Sequence, residues 1–131
     1  MNRLKEQNDK KPKVTETSIY QIVFDSSLAG LFVLDAEGTI LKVNAMSERL
    51  FGYKKGALIN KNIEIIFPKG YRKEIELLMK NPPSDPVQIL GLDKNGVEIA
   101  IDFRIVNSIF EGQIISAVYC KKVDHAVFES D

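Results

Sequence analysis

The residues best equipped for chemistry in this chain are few. There is one cysteine, Cys120, and one histidine, His125, among 131 residues. A lone thiol forms neither an internal disulfide nor a cysteine-rich zinc site, and its solitude fits a reducing compartment. By strand alternation Cys120 is expected on the sheet face opposite Tyr119, as an inert small hydrophobe. His125 lies in the polar stretch "DHAVFESD" with no catalytic partner near it in sequence, and reads as solvated. Elsewhere there is no phosphate-cradling glycine loop, no nucleophile elbow, and no acid and base that periodicity brings together. The carboxylates fall at turns and on polar faces. No cysteine or histidine cluster has metal-ligand spacing. These residues speak against an enzyme, and a small enzyme on an α+β scaffold is the weakest of the readings.

What remains is the framework. At 131 residues and 44% hydrophobic, the chain is long enough for one core. Eighteen basic and eighteen acidic residues cancel, leaving no field to draw nucleic acid or an anionic membrane. No apolar run approaches the roughly 20 residues of a membrane-spanning helix, and "MNRLKEQNDKKPKV" lacks the apolar centre of a secretory signal. A cytoplasmic protein is expected. Residues 1–16 read as a disordered leader or linker and residues 124–131 as a tail.

Between them the apolar period changes several times. "SIYQIVFDSSLAG" places Ile19, Ile22 and Val23 at helical spacing, with Ser18 and Gln21 spaced as a capping box. Two β-rich runs then flank Asp35-Ala36-Glu37-Gly38, a hairpin turn. In "NAMSERLFGYKKGALINKNIEIIF", Asn44 is placed to cap a short helix that carries Met46 and Leu50 one turn apart and stops at Gly52. A second helical piece is expected at 54–58, and Asn60 suits a left-handed turn. Ile63, Ile66 and Phe67 should face inward. "YRKEIELLMKN" puts Tyr71, Ile75, Leu78 and Met79 on one stripe of a longer helix, which "NPPSDP" ends. Two strands then flank Asp93-Lys94-Asn95-Gly96, with Ile99, Ile101, Phe103 and Ile105 alternating strictly against polar neighbours. A last strand, "GQIISAVYCKKV", follows Glu111-Gly112. The order predicts an α+β fold: a five-stranded antiparallel sheet with several short helices packed on one face.

The segments "GLFVLDAEGTILKVNAMSERLFGY", "GALINKNIEIIFPKGYR", "LDKNGVEIAIDFRI" and "IISAVY" resemble the PAS sensor domain family in order, spacing and residue type. The resemblance covers residues 17–123 and rests on the combination of the Asn before the core helix, "LFGY", "LI-x-K-x-I" and the late "K-x-G" turn. It implies the PAS strand order and a hollow, or its plugged remnant, between the helices and a concave sheet. It also implies signal reception, in a sensor histidine kinase or a similar regulator of a two-component system, with the state passed to an effector domain or partner protein. Such domains commonly pair as homodimers through the helix before the first strand, here residues 17–27, and through the outer sheet face. The chain departs from the family in its short proline-rich segment after the long helix, and in reading "KKVDHA" where Asp-Ile-Thr often ends the last strand.

Two cofactors are argued against on the same basis. The light-sensing branch needs a flavin-attacking cysteine where this chain has Ile63. The haem branch needs a histidine where it has Ile75. A small apolar ligand remains compatible, with Phe32, Leu34, Met46, Leu50, Phe51, Ile63, Tyr71, Ile75, Ile101, Phe103 and Tyr119 as the implied lining. Tyr71 and Tyr119 would supply orienting hydrogen bonds. Ordinary core packing explains the same side chains, and the alternative function is then a dimerisation module of this fold with a filled core and no ligand.

Overall fold

Alternation along a strand sends one face of its side chains to the interior and the other outward, and residues 99–105 follow it strictly. In the computed structural model, residues 14–123 are described, so His125 and most of the expected leader and tail lie outside them. The elements are α1 (Glu16–Ser26), β1 (Gly30–Leu34), β2 (Ile40–Val43), α2 (Ala45–Phe51), α3 (Arg72–Lys80), β3 (Val87–Leu92), β4 (Glu98–Phe110) and β5 (Gln113–Lys122). Short 3-10 turns at Ile63–Ile66 and Lys69–Tyr71 lead into α3. All pairings are antiparallel, in the order β2-β1-β5-β4-β3. This is the α+β arrangement expected from the sequence.

Two hairpins close by the same chemistry. Asp35 Oδ1 accepts from the N–H of Glu37 and Thr39 at 3.0 and 2.9 Å, and Asp93 Oδ1 accepts from Asn95 and Val97 at 2.8 and 2.9 Å. Each carboxylate satisfies the amides that a tight turn leaves open. The β4–β5 turn differs: Glu111 and Gly112 have φ of 52° and 78°, the two-residue geometry that matches strand twist. Asn60, at φ 70°, turns the chain back along β2, where Ile40 exchanges backbone hydrogen bonds of 2.8 Å with Asn60 and Lys61. One sheet edge is thereby covered.

Asn44 caps α2 and Gly52, left-handed at φ 76°, ends it, as the sequence indicates. Other local expectations need correction. Thr15, not Ser18, caps α1, and Ser18 is the reciprocating third residue of that capping box. Residues 54–58 form no helix but a run of turns, because Gly56 takes φ 81° and breaks the period. On α2 the buried pair is Ser47 and Phe51, whereas Met46 is half-buried and outside the main core cluster.

That rotation follows from how closely α2 lies on the sheet. A Cβ on Gly30 would stand 3.0 Å from Ser47 Oγ, and one on Gly91 would stand 3.0 Å from Phe51 Cε1. The two glycines let the small and the large face of one helix rest on β1 and β3. Beneath them, Phe32, Leu34, Phe51, Phe67, Ile101, Phe103 and Ile105 form a core at most 2% exposed. The parity of β5 is the reverse of the expected one. Cys120 pairs with Gly30 and Val118 with Phe32, so Cys120 points into the core and Tyr119 to the outer face. "IISAVYC" is apolar on both parities, and only the register against β1 decides between them.

Phe103 is 2% exposed and meets Phe67 edge to face, with centroids 5.4 Å apart. Truncating a buried Phe costs about 3–5 kcal/mol, and an unpaired buried carboxylate costs more. Against a total stability of about 5–15 kcal/mol, Phe103→Asp is expected to abolish cooperative thermal unfolding followed by circular dichroism. A soluble variant with a sharp transition would show that Phe103 is not an interior residue.

Candidate functional site

The interior between helices and sheet is the first candidate. The structure gathers Phe32, Leu34, Phe51, Ile63, Ile75, Ile101 and Phe103 into one buried cluster, with Leu50 and Tyr71 half-buried against it. Met46 stands outside that cluster. Tyr119 is on the far side of the sheet, in a shallow groove of about 340 Å³ with Leu31, Pro86, Arg104, Val106 and Ala117. It is therefore not brought together with the other residues expected to line a ligand.

The interior surfaces are in contact with one another. The Phe32 and Phe51 rings lie 6.1 Å apart at 54°, within the range of favourable tilted pairs. Phe67 and Phe103 make a second pair. At Gly91 an added methyl carbon would meet both Phe51 and Ile101, the latter at 3.3 Å. Ile63 and Ile75 are each 1% exposed, and their aliphatic side chains offer no bond to a flavin ring or to haem iron. Cys120 is fully buried, and loss of water pushes its thiol far above its ordinary value. Among the described residues no group of three or more His, Cys, Asp or Glu is placed to hold a metal.

Apolar surface that the core does not use lies elsewhere. α1 buries none of its residues, and Ile19, Ile22 and Val23 are 45%, 64% and 61% exposed. The outer groove joins an apolar floor to the Arg104 guanidinium and the Tyr119 ring. At the far end of the sheet, Ile109, Phe110 and Ile114 also face solvent on the β4–β5 hairpin. The alternation seen in the sequence ends at Ile105; residues 107–110 carry β4 on, and Asn107 Nδ2 donates 3.0 Å to the Met79 carbonyl at the end of α3. Tyr53, the last residue of "LFGY", is half-buried, and burial and the nearby Asp93 carboxylate raise its hydroxyl above the usual tyrosine value.

A PAS domain sequence profile matches residues 28–120. Among solved structures, the chain is similar to the PAS domain of a protein from Colwellia psychrerythraea, at 21% identity and a TM-score of 0.74, covering 83% of this chain and 98% of that one. A PAS domain from a two-component sensor histidine kinase aligns at 14% identity and a TM-score of 0.69, covering 82% and 96%. The PAS domain of the fruit-fly ELK potassium channel aligns at 15% identity and a TM-score of 0.64, covering 86% and 100%. At these identities the structural likeness speaks to fold alone. No curated protein matches the chain in sequence. Among the described residues no helix is long and apolar enough to cross a membrane.

The thiol offers a direct probe of how closed the interior is. Cys120 is expected to resist a water-soluble disulfide reagent in the native protein and to react once denaturant is added. Because burial raises its folded value above the unfolded 9.0, stability is unaffected by this group below about pH 9 and falls as pH rises beyond it. Denaturation midpoints between pH 7 and pH 10.5, in wild type and in Cys120→Ala, check the sign: the decline should be shallower in the variant.

Proposed function

This chain belongs to the PAS domain family, and from that premise we propose that it is a cytoplasmic signalling domain that works chiefly by association, pairing with a second copy through α1 and the outer sheet face. PAS domains are signal-sensing and regulatory modules that occur in kinases and channels, generally without catalysis of their own. The observation that carries the reading is the contrast between a core of touching side chains and an α1 whose apolar face meets water. An amphipathic helix of 11 residues, about 16 Å long at 1.5 Å per residue, presents Ile19, Ile22 and Val23 for a partner. It bears Glu16 in its first turn and no basic residue in its last, which complements Arg104 in the outer groove. The PAS unit on this reading is residues 17–123, and the paired state would bias an effector domain or partner protein, as in a sensor histidine kinase.

A second reading is that a small apolar ligand enters the interior. Its support is the wall itself, aliphatic and aromatic, with Tyr71 half-buried at the rim. Such a ligand would have to displace side chains of this cluster to enter. Native mass spectrometry of protein from its own host separates the two, since a stoichiometric adduct favours sensing and an empty dimer favours association.

Ile22 is exposed in the single chain, so a polar replacement leaves the fold intact. Ile22→Asp is expected to weaken self-association roughly 30-fold, the equivalent of about 2 kcal/mol at the centre of an interface, with the melting temperature unchanged at a dilution where both proteins are monomeric. Sedimentation equilibrium of wild type and variant reads this. A wild type that stays monomeric at high micromolar concentration, or a variant that dimerises equally, would overturn the association reading.

A further inference from the structure

Asn44 does more than cap α2. Its side chain is wholly buried, and both ends of its amide are in use. Oδ1 accepts from the N–H of Leu31 at 2.9 Å and of Ser47 at 3.0 Å. Ser47 Oγ lies 2.9 Å from both Asn44 Oδ1 and the Leu31 carbonyl, which share its one proton. Nδ2 donates to the Phe24 carbonyl at 2.8 Å and the Ala29 carbonyl at 3.0 Å. Phe24 lies within the last turn of α1, where carbonyls have no partner inside the helix. One side chain thus joins β1, the start of α2 and the end of α1.

Two positions earlier in the chain, Lys42 holds the same helix from β2. Its Nζ donates 2.6 Å to Gln21 Oε1 and stands 5.1 Å from the centre of the Phe24 ring. No residue of α1 is fully buried, and Phe24 is half-buried, so the helix is seated on the domain by these polar contacts together with the Phe24 ring. Hydrogen bonds of this kind are short-ranged and directional, and a displacement near 1 Å undoes them where an apolar contact would slide.

We infer that Asn44 and Lys42 form a latch that fixes α1 against the core, so that a shift at the start of α2 frees or reseats the helix. Asn44 and Lys42 are positioning residues in this device. The latch regulates the surface assigned above to association, and its output role rests on that reading.

Hydrogen–deuterium exchange on the whole chain, at a dilution where it is monomeric, tests the latch apart from association. Asn44→Asp keeps the oxygen that caps α2 but turns the two donated bonds into an oxygen facing two carbonyls. Lys42→Ala removes the second contact at an exposed position. Both variants should speed exchange of α1 amides by at least about tenfold while β4 and β5 amides stay within about twofold of wild type. Unchanged α1 exchange in both, or α1 amides unprotected in the wild type, would overturn the latch. If Asn44→Asp does not fold, Lys42→Ala alone decides. A wild type that never dimerises would sink the association reading and leave this measurement untouched.

Discussion

The nearness of α2 to the sheet is the constraint from which the rest of the architecture follows. A seven-residue helix has too little surface to hold itself by burial at an ordinary separation, and here it rests on two positions without a Cβ, Gly30 and Gly91. At the first, Ser47 comes within hydrogen-bonding distance of the β1 backbone. At the second, the Phe51 ring and the Ile101 side chain take the space where a Cβ on β3 would stand. Close packing of that kind leaves little freedom to adjust, because interiors at near-crystal density pass a displacement on rather than absorb it. The close approach also decides which side of α2 faces inward, and so why Met46 is left outside the core cluster.

From that follows a division of labour between two surfaces. Inside, aromatic and aliphatic side chains satisfy one another, and the buried polar groups, Asn44, Ser47 and Ser116, have hydrogen-bond partners. Outside, α1 and the β4–β5 hairpin carry apolar side chains that nothing among the described residues covers. A chain that ordered α1 only for its own stability would turn Ile19 and Ile22 inward, since a helix of this length is marginal in water without a buried face. That α1 does the opposite is the physical ground for reading it as a surface for another molecule.

Much of this was legible in the residues. The alternation of Ile99, Ile101, Phe103 and Ile105, the Asp-x-x-Gly turns, Asn44 as a cap and Asn60 as a left-handed turn all express local chemistry, and the structure holds each of them. The errors about which side chains face inward share one origin. Ser47 looks polar and Met46 apolar, so the period on α2 favours the wrong stripe until Gly30 is known to lie beneath it. Tyr119 and Cys120 sit in a run apolar on both parities, and their faces depend on pairing with a strand nearly ninety positions away in sequence. Composition does not carry that register. The extension of β4 past Val106 and the Lys42–Phe24 contact are likewise tertiary facts, set by neighbours far off in the chain.

The contrast in how elements are attached explains why the helix before the sheet, rather than the sheet, is suited to report a change of state. β4 and β5 are joined by ten register pairs and share the core beneath them, so local opening there requires breaking many contacts together. α1 is joined at its C-terminal end by contacts from two side chains, one of which also caps α2. A disturbance that moves α2 therefore reaches Asn44 before it can loosen any strand, and Asn44 has no spare bonding capacity with which to follow α2 and still hold α1. Full satisfaction of a buried amide is what makes the junction rigid in one arrangement, and the same fullness makes it fail as a unit when one partner moves.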